Sequence, residues 1–248
     1  MKTITFGIQK GGTGKTSISI CVASQLAIQG YKVLYIDLDP QGNSSGWLLK
    51  DFDFEIADVL FQRQDVEKVV KQTRQKNLFI LPTFGLGGDL RLYSETVASQ
   101  KPYAIRQLLK NEKLQSFDYC IIDTSPSFSP LEKACYIASD EVIPILLLDS
   151  FSLDGLETFT SLIAELKKDY ELHNAQIKTV VLNARDNRIQ QHNIFLELYN
   201  NKIKINKVVI PIDQAFKKCQ ASNLLLQEFK ETKKETLESL EELSRNIL

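Results

Sequence analysis

A glycine-rich segment near the N-terminus, residues 9–17, constrains the fold of this chain more than any other feature. It reads Gln-Lys-Gly-Gly-Thr-Gly-Lys-Thr-Ser and lies between an apolar run at residues 4–8 and a helically periodic apolar run at residues 18–28. A strand, a glycine loop and a helix in this order form the context that a phosphate-binding loop requires. The alternative is a glycine-rich turn that binds nothing. Glycine, lysine and threonine at all of these offsets favour phosphate binding.

The residue types in this segment suit a triphosphate. Three glycines, Gly11, Gly12 and Gly14, allow the backbone to curl and to turn its N–H groups inward. The helix that begins near Lys15 adds the positive end of its dipole. Lys15 supplies a mobile cation for the β- and γ-phosphates, and Thr16 supplies a hydroxyl for Mg²⁺. The nucleotide-binding residues predicted from this loop are Gly11, Gly12, Thr13, Gly14, Lys15, Thr16 and Ser17.

Two further apolar segments end in aspartate. Asp37 and Asp39 follow a predicted strand at residues 32–36, and Asp123 ends a second predicted strand. Ligands bind at the carboxyl ends of strands in open α/β sheets. A strand that brings a carboxylate to Mg²⁺ beside a phosphate loop is the Walker B arrangement. We therefore predict Thr16 and Asp123 as metal ligands. The alternatives are an ordinary turn capped by aspartate and a strand that merely ends in aspartate.

Apolar strands alternate with helical segments along the chain, and no β-hairpin signal is present. This pattern predicts an α/β fold with a mostly parallel β-sheet flanked by helices on both faces. The length of 248 residues and the 43% hydrophobic content suffice for one domain that spans residues 1–248. A second glycine-rich segment, residues 84–89, has no lysine or serine in register after it, so we interpret it as a plain loop.

Composition limits the classes of partner. The net charge of −1 and the pI near 6.2 exclude a strongly basic nucleic-acid binder, so any DNA contact needs a local basic patch. The alternative for such a patch is a solvated face. The candidate DNA-binding residues are Lys202, Lys204, Lys217 and Lys218, with Arg185 and Arg188 near them.

The predicted location is the cytoplasm. The four cysteines lie in apolar or helical stretches without C-x-x-C spacing, which predicts small core residues of a cytoplasmic protein. The N-terminus enters a strand directly, so we expect no signal peptide. No apolar run approaches 18 residues, so no transmembrane helix and no membrane insertion are expected.

The first loop departs from the standard G-x-x-x-x-G-K-[ST] pattern, because Gln9 stands where the first glycine would be. It fits K-G-G-x-G-K-[ST] instead, with an additional lysine at Lys10, and so resembles the deviant Walker A loop of the ParA/MinD ATPases. Gln9 before that lysine is similar to the Soj-like partition branch. The resemblance implies ATP and Mg²⁺ as cofactors and adds Lys10 to the nucleotide-binding set. It also implies that Lys10 reaches across a homodimer interface to the phosphates of the partner subunit.

Two later segments resemble the switch regions of the same family. Asp37-Leu38-Asp39-Pro40-Gln41-Gly42-Asn43 resembles its switch I, which implies that Asp39 positions the attacking water and that Asp37 supports it. Lys10, Lys15 and Asp39 are thus the predicted catalytic residues. Residues 124–127 resemble switch II, with Ser125 in place of a proline.

The adenine end of the site is predicted through the same resemblance. Asn183, after a predicted strand, resembles the asparagine that contacts adenine; the alternative is a turn asparagine. Pro211, Ile212 and Asp213 resemble the V-I-P loop over the base, so Pro211 and Asp213 join the predicted nucleotide-binding residues. Relatives that bind DNA often carry arginine at the position of Ile212.

The resemblance implies an ATPase that switches between an ATP-bound dimer and an ADP state during plasmid or chromosome partition. The implied partners are nonspecific DNA and a ParB-like centromere-binding protein, with association to the nucleoid. A positioning or scaffold ATPase of the same family, acting on a protein or membrane surface, is the alternative. A nucleotide-gated adaptor with negligible turnover is a third possibility. The acidic C-terminal segment, residues 231–248, is predicted to pack on the sheet, which argues against a membrane-targeting helix.

Overall fold

The computed structural model of the chain describes residues 1–149 and 151–248. Within these residues eight strands form one sheet: β1 Lys2–Gly7, β2 Val33–Leu38, β3 Lys71–Gln72, β4 Leu78–Leu81, β5 Tyr119–Thr124, β6 Glu141–Leu147, β7 Thr179–Arg185 and β8 Asn206–Pro211. The α-helices there are α1 Lys15–Ile28, α2 Asn43–Leu48, α3 Ile56–Leu60, α4 Val66–Val69, α5 Leu90–Thr96, α6 Ala104–Leu109, α7 Pro130–Ala138, α8 Ser152–Asp169, α9 Gln190–Lys202, α10 Ala215–Ser222 and α11 Lys234–Ile247. Strands and helices alternate along most of the chain.

The order of the strands brings the predicted site together. The sheet runs β3-β4-β2-β5-β1-β6-β7-β8, and the pairs from β4 through to β8 are parallel. Strand β1 is therefore central, with β5 beside it and β2 next to β5. Because the carboxyl ends of parallel strands lie at one edge, the segments that follow β1, β2 and β5 are neighbours. The predicted fold class is confirmed.

One strand pair departs from the parallel pattern of the sheet. Strand β3 pairs antiparallel with β4, with Lys71 opposite Ile80, so the mostly parallel sheet includes one hairpin for which the sequence pattern gave no signal. The turn between them contains Asn77 in the left-handed region, with φ 67°. A polar strand of two residues leaves no alternating pattern in the sequence, so the hairpin has no detectable signal.

Alternation along the buried strands covers both faces of the sheet. On β2, Val33 and Tyr35 pack in a cluster with α1 and α11, whereas Leu34 and Ile36 pack in a cluster with α3 and α7. A third cluster lies under α8 and α9. Helices on both faces exclude water from the sheet, which fits the continuous apolar runs of its central strands.

The C-terminal helix packs as predicted. Leu240, Leu243 and Ile247 of α11 are fully buried against α1 and β8. The four cysteines are buried and free, as expected for small core residues. Among residues 1–149 and 151–248, no helix combines the length and the apolar character that crossing a membrane requires.

Candidate nucleotide-binding site

The loop after β1 has the backbone conformation that its glycines predict. Gly12 and Gly14 lie in the left-handed region, with φ 71° and 94°. A Cβ atom at Gly14 would lie 2.4 Å from the Asn183 side-chain nitrogen, so any other residue there would clash. Helix α1 begins directly after Gly14. The curled loop therefore leads into a helix N-terminus, which is the arrangement that binds phosphate.

Lys15 lies inside this loop. Its side chain is buried, and its ammonium donates to the carbonyl of Lys10 at 3.4 Å. Burial lowers the pKa of Lys15, while the nearby carboxylates of Asp123 and Asp39 act in the opposite direction. A buried ammonium is stabilised by an anion. Lys15 is thus positioned to accept a phosphate group from the open side of the loop.

Two buried carboxylates lie side by side at the edge of the sheet. Asp37 on β2 is the register partner of Asp123 on β5, and both are fully buried. Two consecutive serines of α2 hold them. The Ser44 hydroxyl donates to Asp123 at 3.1 Å, and the Ser45 hydroxyl and N–H donate to Asp37 at 2.6 and 2.9 Å. Sequence reasoning did not select these serines, because their role depends on where α2 packs.

The environment of Asp123 fits a magnesium ion. Burial and the neighbouring Asp37 raise the pKa of Asp123 to about 7, and burial raises the pKa of Asp37 to about 6. In the described part of the chain, Asp123 Oδ1 has no hydrogen-bond partner although it is buried. An unpaired buried carboxylate oxygen beside a threonine hydroxyl is a suitable pair of oxygen ligands for Mg²⁺. Thr16 is in the first turn of α1 and lines the same cleft.

Asp39 reaches the same cleft from the loop after β2. One of its carboxylate oxygens accepts the N–H of Gln41 at 2.9 Å, and burial raises its pKa. The side chain lines the cleft together with Lys15 and Thr16. The segments that follow β1 and β2, two strands separated only by β5, thus bring a carboxylate, an ammonium and a hydroxyl to one cavity.

The cleft has a volume of about 680 Å³, within the range of small-molecule sites. Beyond the loop, it is also lined by Asn183, Ala184, Pro211, Ile212, Asp213, Phe216, Lys217 and Gln220. Phe216 and Gln220 belong to α10, a helix that the sequence patterns did not predict. The predicted adenine-binding residues Asn183, Pro211 and Asp213 therefore line the same cleft as Lys15 and Thr16.

Two of these predicted residues already bond to the protein. Asn183 lies within β7 rather than after it, and its amide donates to the Thr13 carbonyl at 2.8 Å. Asp213 accepts the N–H groups of Ala215 and Lys233, both at 2.9 Å, and so connects α10 to the start of α11. Both side chains border the cleft, and their contact with a base stays a prediction.

Lys10 lies on the outer rim of the loop. Its side chain is 42% exposed and forms an ion pair with Asp149, which follows β6. Partial burial of Asp149 favours a higher pKa, but hydrogen bonds from Lys10 and Ser152 outweigh it and lower the pKa. The Lys10 ammonium therefore points out of the pocket that Lys15 occupies.

The segment after β5 is held by Glu132 of α7. This buried carboxylate accepts the hydroxyls of Ser125 and Ser129 and the N–H of Ser129 at 3.0 Å. Ser129 and Glu132 form a capping box at the start of α7. Ser125, which stands where a proline would match the switch pattern, thus contributes a hydrogen bond that proline could not make.

The four candidate DNA-binding lysines do not form one patch. Lys202 and Lys204 precede β8, whereas Lys217 and Lys218 follow it on α10. The six residues of β8 span about 16 Å between these groups, at the usual rise of a strand. Lys218 also pairs with Glu231 at 2.6 Å. The basic residues that are close in sequence are therefore divided between the amino end and the carboxyl end of β8.

A mostly parallel sheet covered on both faces, with a phosphate loop after its central strand β1 and aspartates at the ends of β5 and β2, defines a P-loop nucleotide-binding protein. The profile of the AAA-domain family matches residues 1–179. The chain belongs to the ParA/MinD family of P-loop ATPases, as its similarity to the following relatives shows.

The virulence plasmid ParA family protein pGP5-D of Chlamydia trachomatis is 31% identical over 217 residues, which cover 84% of this chain and 80% of that protein. The sporulation initiation inhibitor protein Soj of Bacillus subtilis is 32% identical over 216 residues, covering 85% and 84%. A plasmid partition protein of Borrelia burgdorferi, solved with AMPPNP, has a TM-score of 0.83 at 22% identity and covers 100% of this chain and 99% of that chain. The last comparison establishes the likeness of fold.

Proposed function

We propose that the chain is a Mg²⁺-dependent partition ATPase that alternates between an ATP-bound dimer and an ADP-bound state. The observation that carries the proposal is the convergence of Lys15, Thr16 and Asp39 on one cleft, with the buried Asp123 beside it. A cleft that only bound a nucleotide would need the loop and Lys15. The additional carboxylates supply the groups that water attack on a phosphate requires.

The residues of the chain have separate tasks in this reaction. Inward N–H groups of residues 11–16 and the Lys15 ammonium bind the β- and γ-phosphates. Thr16 and Asp123 hold Mg²⁺, which neutralises charge on the phosphate oxygens when it is bound. Asp39 is held by the Gln41 N–H, so its second carboxylate oxygen is left to orient the attacking water. Asp37 supports Asp39 through the backbone, because the Asp39 N–H donates to it at 3.3 Å.

Lys10 acts between subunits in this proposal. Its exposed ammonium points away from the pocket of its own subunit, so it serves a phosphate that approaches from outside. Two triphosphates that face each other repel, and one Lys10 from each subunit offsets that repulsion, as an arginine finger does in trans. To reach the phosphate of the partner subunit, the Lys10 ammonium must break its ion pair with Asp149. The Lys10–Asp149 ion pair therefore belongs to the monomer.

A partition role adds two partners, nonspecific DNA and a ParB-like centromere-binding protein, and a nucleoid-associated place in the cytoplasm. Support comes from the ParA family protein and Soj, which share about a third of their residues with this chain. The division of the four lysines between the two ends of β8 favours the second candidate function. In that case the same ATP-dependent switch positions cargo on a protein or membrane surface instead of DNA.

The deciding experiment compares Lys10→Ala with the wild type by sedimentation, calorimetry and phosphate release. We expect the variant to bind MgATP as a monomer, but to form no dimer and release no phosphate above background. Lys113→Ala is the matched control, since Lys113 is also an exposed lysine in an ion pair, with Glu67 at 3.1 Å. Lys15→Ala should bind no nucleotide, because the phosphates then meet only backbone dipoles.

Two results would contradict the proposal. If Lys10→Ala dimerises with ATP and turns over like Lys113→Ala, Lys10 is a solvated loop cation without a role between subunits. If Lys15→Ala binds MgATP with the affinity of the wild type, the loop after β1 is not the phosphate site.

A further inference from the structure

The second glycine-rich segment, residues 84–89, and Thr83 before it pack against residues 37–43, the segment that resembles switch I. Residues 83–89 are named here the clamp loop, and residues 37–43 are called switch I. The sequence pattern favours a plain loop at this position. The structure instead shows a short 3-10 turn at Gly85–Gly87, between the end of β4 and the start of α5. None of the described residues of this loop lines the nucleotide cleft. Its contacts with switch I therefore need a separate explanation.

Thr83 fixes Asp37 in two ways. Its hydroxyl donates to the Asp37 carbonyl at 2.7 Å, and its N–H donates to the Ser45 hydroxyl oxygen at 2.8 Å. That hydroxyl in turn donates to the Asp37 carboxylate at 2.6 Å. A hydroxyl has one proton, and since Thr83 fills an acceptor position of Ser45, the Ser45 proton stays directed at Asp37. Thr83, Ser45 and Asp37 are all buried, so water cannot replace these bonds.

Two glycines bring the backbones of the clamp loop and switch I into direct contact. Gly42 and Gly85 have φ values of 65° and 74°. A Cβ atom at Gly85 would lie 2.8 Å from the Gln41 carbonyl oxygen, and one at Gly42 would lie 2.8 Å from the Gly85 nitrogen. There is no space for a side chain on either surface. Any displacement of Gly85 is thus transmitted to Gln41, whose N–H holds Asp39.

The opposite side of the clamp loop is anchored by Glu55. This buried carboxylate accepts the N–H of Phe84 at 2.9 Å and the N–H of Asp89. A Cβ atom at Gly88 would lie 2.4 Å from its oxygen. Glu55 is also the N-cap residue of α3. The loop is therefore fixed to the body of the protein on one side while it contacts switch I on the other.

We propose that the clamp loop holds switch I in register with the phosphate loop, with Thr83 and Gly85 as positioning residues for Asp39. These residues touch no nucleotide and act through the backbone of residues 37–42. The kinetic part of this inference rests on the proposed ATPase function. The structural part concerns the protein without nucleotide and is tested independently.

The structural test uses Thr83→Val, which keeps the shape and the N–H but removes the hydroxyl. Trp47, the only tryptophan of the chain, is buried on α2 two residues after Ser45 and reports on this region. Without nucleotide, we expect acrylamide to quench Trp47 more strongly. Amide exchange of residues 39–46 should be about threefold to tenfold faster, as the loss of one buried hydrogen bond implies. Thr83→Ser, which retains the hydroxyl, should restore both signals.

The matched control is Thr73→Val. Thr73 is also buried, and its hydroxyl donates to a backbone carbonyl, that of Leu78, at 3.0 Å. It lies at the opposite end of β4 from Thr83. We expect this variant to lose stability without any change in Trp47 quenching or in exchange at residues 39–46. Equal signals from the Thr83→Val and Thr73→Val proteins would overturn the proposal.

A second pair of variants tests Gly85 and does not depend on the folding of Thr83→Val. Gly85→Ala should lower kcat for ATP by about tenfold to a hundredfold, the effect of a small misplacement, with KM and nucleotide affinity unchanged. Gly87→Ala is the control, since nothing lies within 4 Å of a Cβ atom there. Equal kcat values in the two variants would refute the positioning role. If the wild type hydrolyses no ATP, the proposed function is wrong. The quenching of Trp47 in Thr83→Val still tests whether the clamp loop holds switch I.

Discussion

At the scale of single residues, the site consists of charged side chains that are buried away from water. Asp37, Asp39 and Asp123 are all buried, and burial raises the pKa of each. One buried cation, Lys15, lies near Asp39 and Asp123. A buried carboxylate without a partner costs stability in its charged form. Three buried carboxylates against one buried cation leave the site with an excess of negative charge, which a bound Mg²⁺ would offset.

A prediction at this scale concerns Asp37→Asn. The pKa of Asp37 is about 6 in the folded protein against an ordinary value of 3.8. Its contribution to stability is therefore complete below pH 3.8 and is lost as the pH rises through 6. One pKa unit corresponds to about 1.4 kcal/mol. We expect the unfolding free energy of Asp37→Asn, taken relative to that of the wild type, to increase by about 2 kcal/mol from pH 4 to pH 7.

Urea unfolding without nucleotide at several pH values measures this difference. Asp53→Asn is the control, because it makes the same replacement at a side chain that is 83% exposed. A constant difference between Asp37→Asn and the wild type from pH 4 to pH 7 would show that Asp37 is not strained in its charged form.

At the scale of elements, α11 closes one face of the sheet. It lies on α1, the helix that follows the phosphate loop, and on β8, the strand whose last residue, Pro211, lines the cleft. Asp213 adds a polar link, since it accepts the Lys233 N–H at 2.9 Å and the Thr236 hydroxyl at 2.8 Å. Helix α11 thus supports both the helix after the phosphate loop and the strand that ends at the cleft.

A prediction at this scale concerns Leu243→Ala in α11. Leu243 is fully buried, and removal of a buried leucine side chain destabilises a protein by about 2–5 kcal/mol. Thermal and urea unfolding should show this loss. Leu248→Ala, at a residue that is 53% exposed, should change stability little. If both variants unfold like the wild type, α11 is not part of the folded core.

At the scale of the whole molecule, the candidate DNA-binding lysines fall into two groups at opposite ends of the strands. Lys217 borders the nucleotide cleft at the carboxyl edge, whereas Lys202 and Lys204 lie at the opposite edge. Helix α10 lines the cleft in which ATP is proposed to bind, so its surface is coupled to the nucleotide more directly than that before β8. If the protein binds DNA in its ATP state, the lysines of α10 are therefore better placed than those that precede β8.

A prediction at this scale separates the two groups. Lys217→Gln with Lys218→Gln should reduce ATP-dependent DNA retention and flatten the slope of log affinity against log salt by about 0.9 for each lost phosphate contact. Lys202→Gln with Lys204→Gln is the matched control and should leave the slope unchanged. Gel shifts at several salt concentrations measure both, with nucleotide affinity checked in parallel.

The reverse pattern would place the DNA surface at the other edge of the sheet. Absence of DNA binding by the wild type with ATP at low salt would favour the positioning function. We also propose that residues 1–248 form one folding unit, which a single cooperative transition in the same unfolding experiments would support.

The phosphate loop, the Asp-ended strands and the fold class were predictable because each is a local property of the chain. Glycines at fixed offsets determine where the backbone can curl, and the period of apolar residues determines which segments are strands. Lys15, Asp39 and Asp123 lie where those local rules place them. The short polar β3 and the helix α10 have weaker patterns, and sequence reasoning missed both.

The tertiary structure alone decided which distant residues meet. Thr83 contacts Ser45, Asn183 contacts Thr13, and the two groups of lysines separate, although nothing in their spacing along the chain indicates these outcomes. Such pairs depend on the order of strands in the sheet and on the angles at which helices pack, which are set by the sum of many contacts. The sequence by itself therefore determined the chemistry of the site. The pairing of β4 with β2 places Thr83, which follows β4, in contact with Asp37 and Ser45, and these contacts position the site residues.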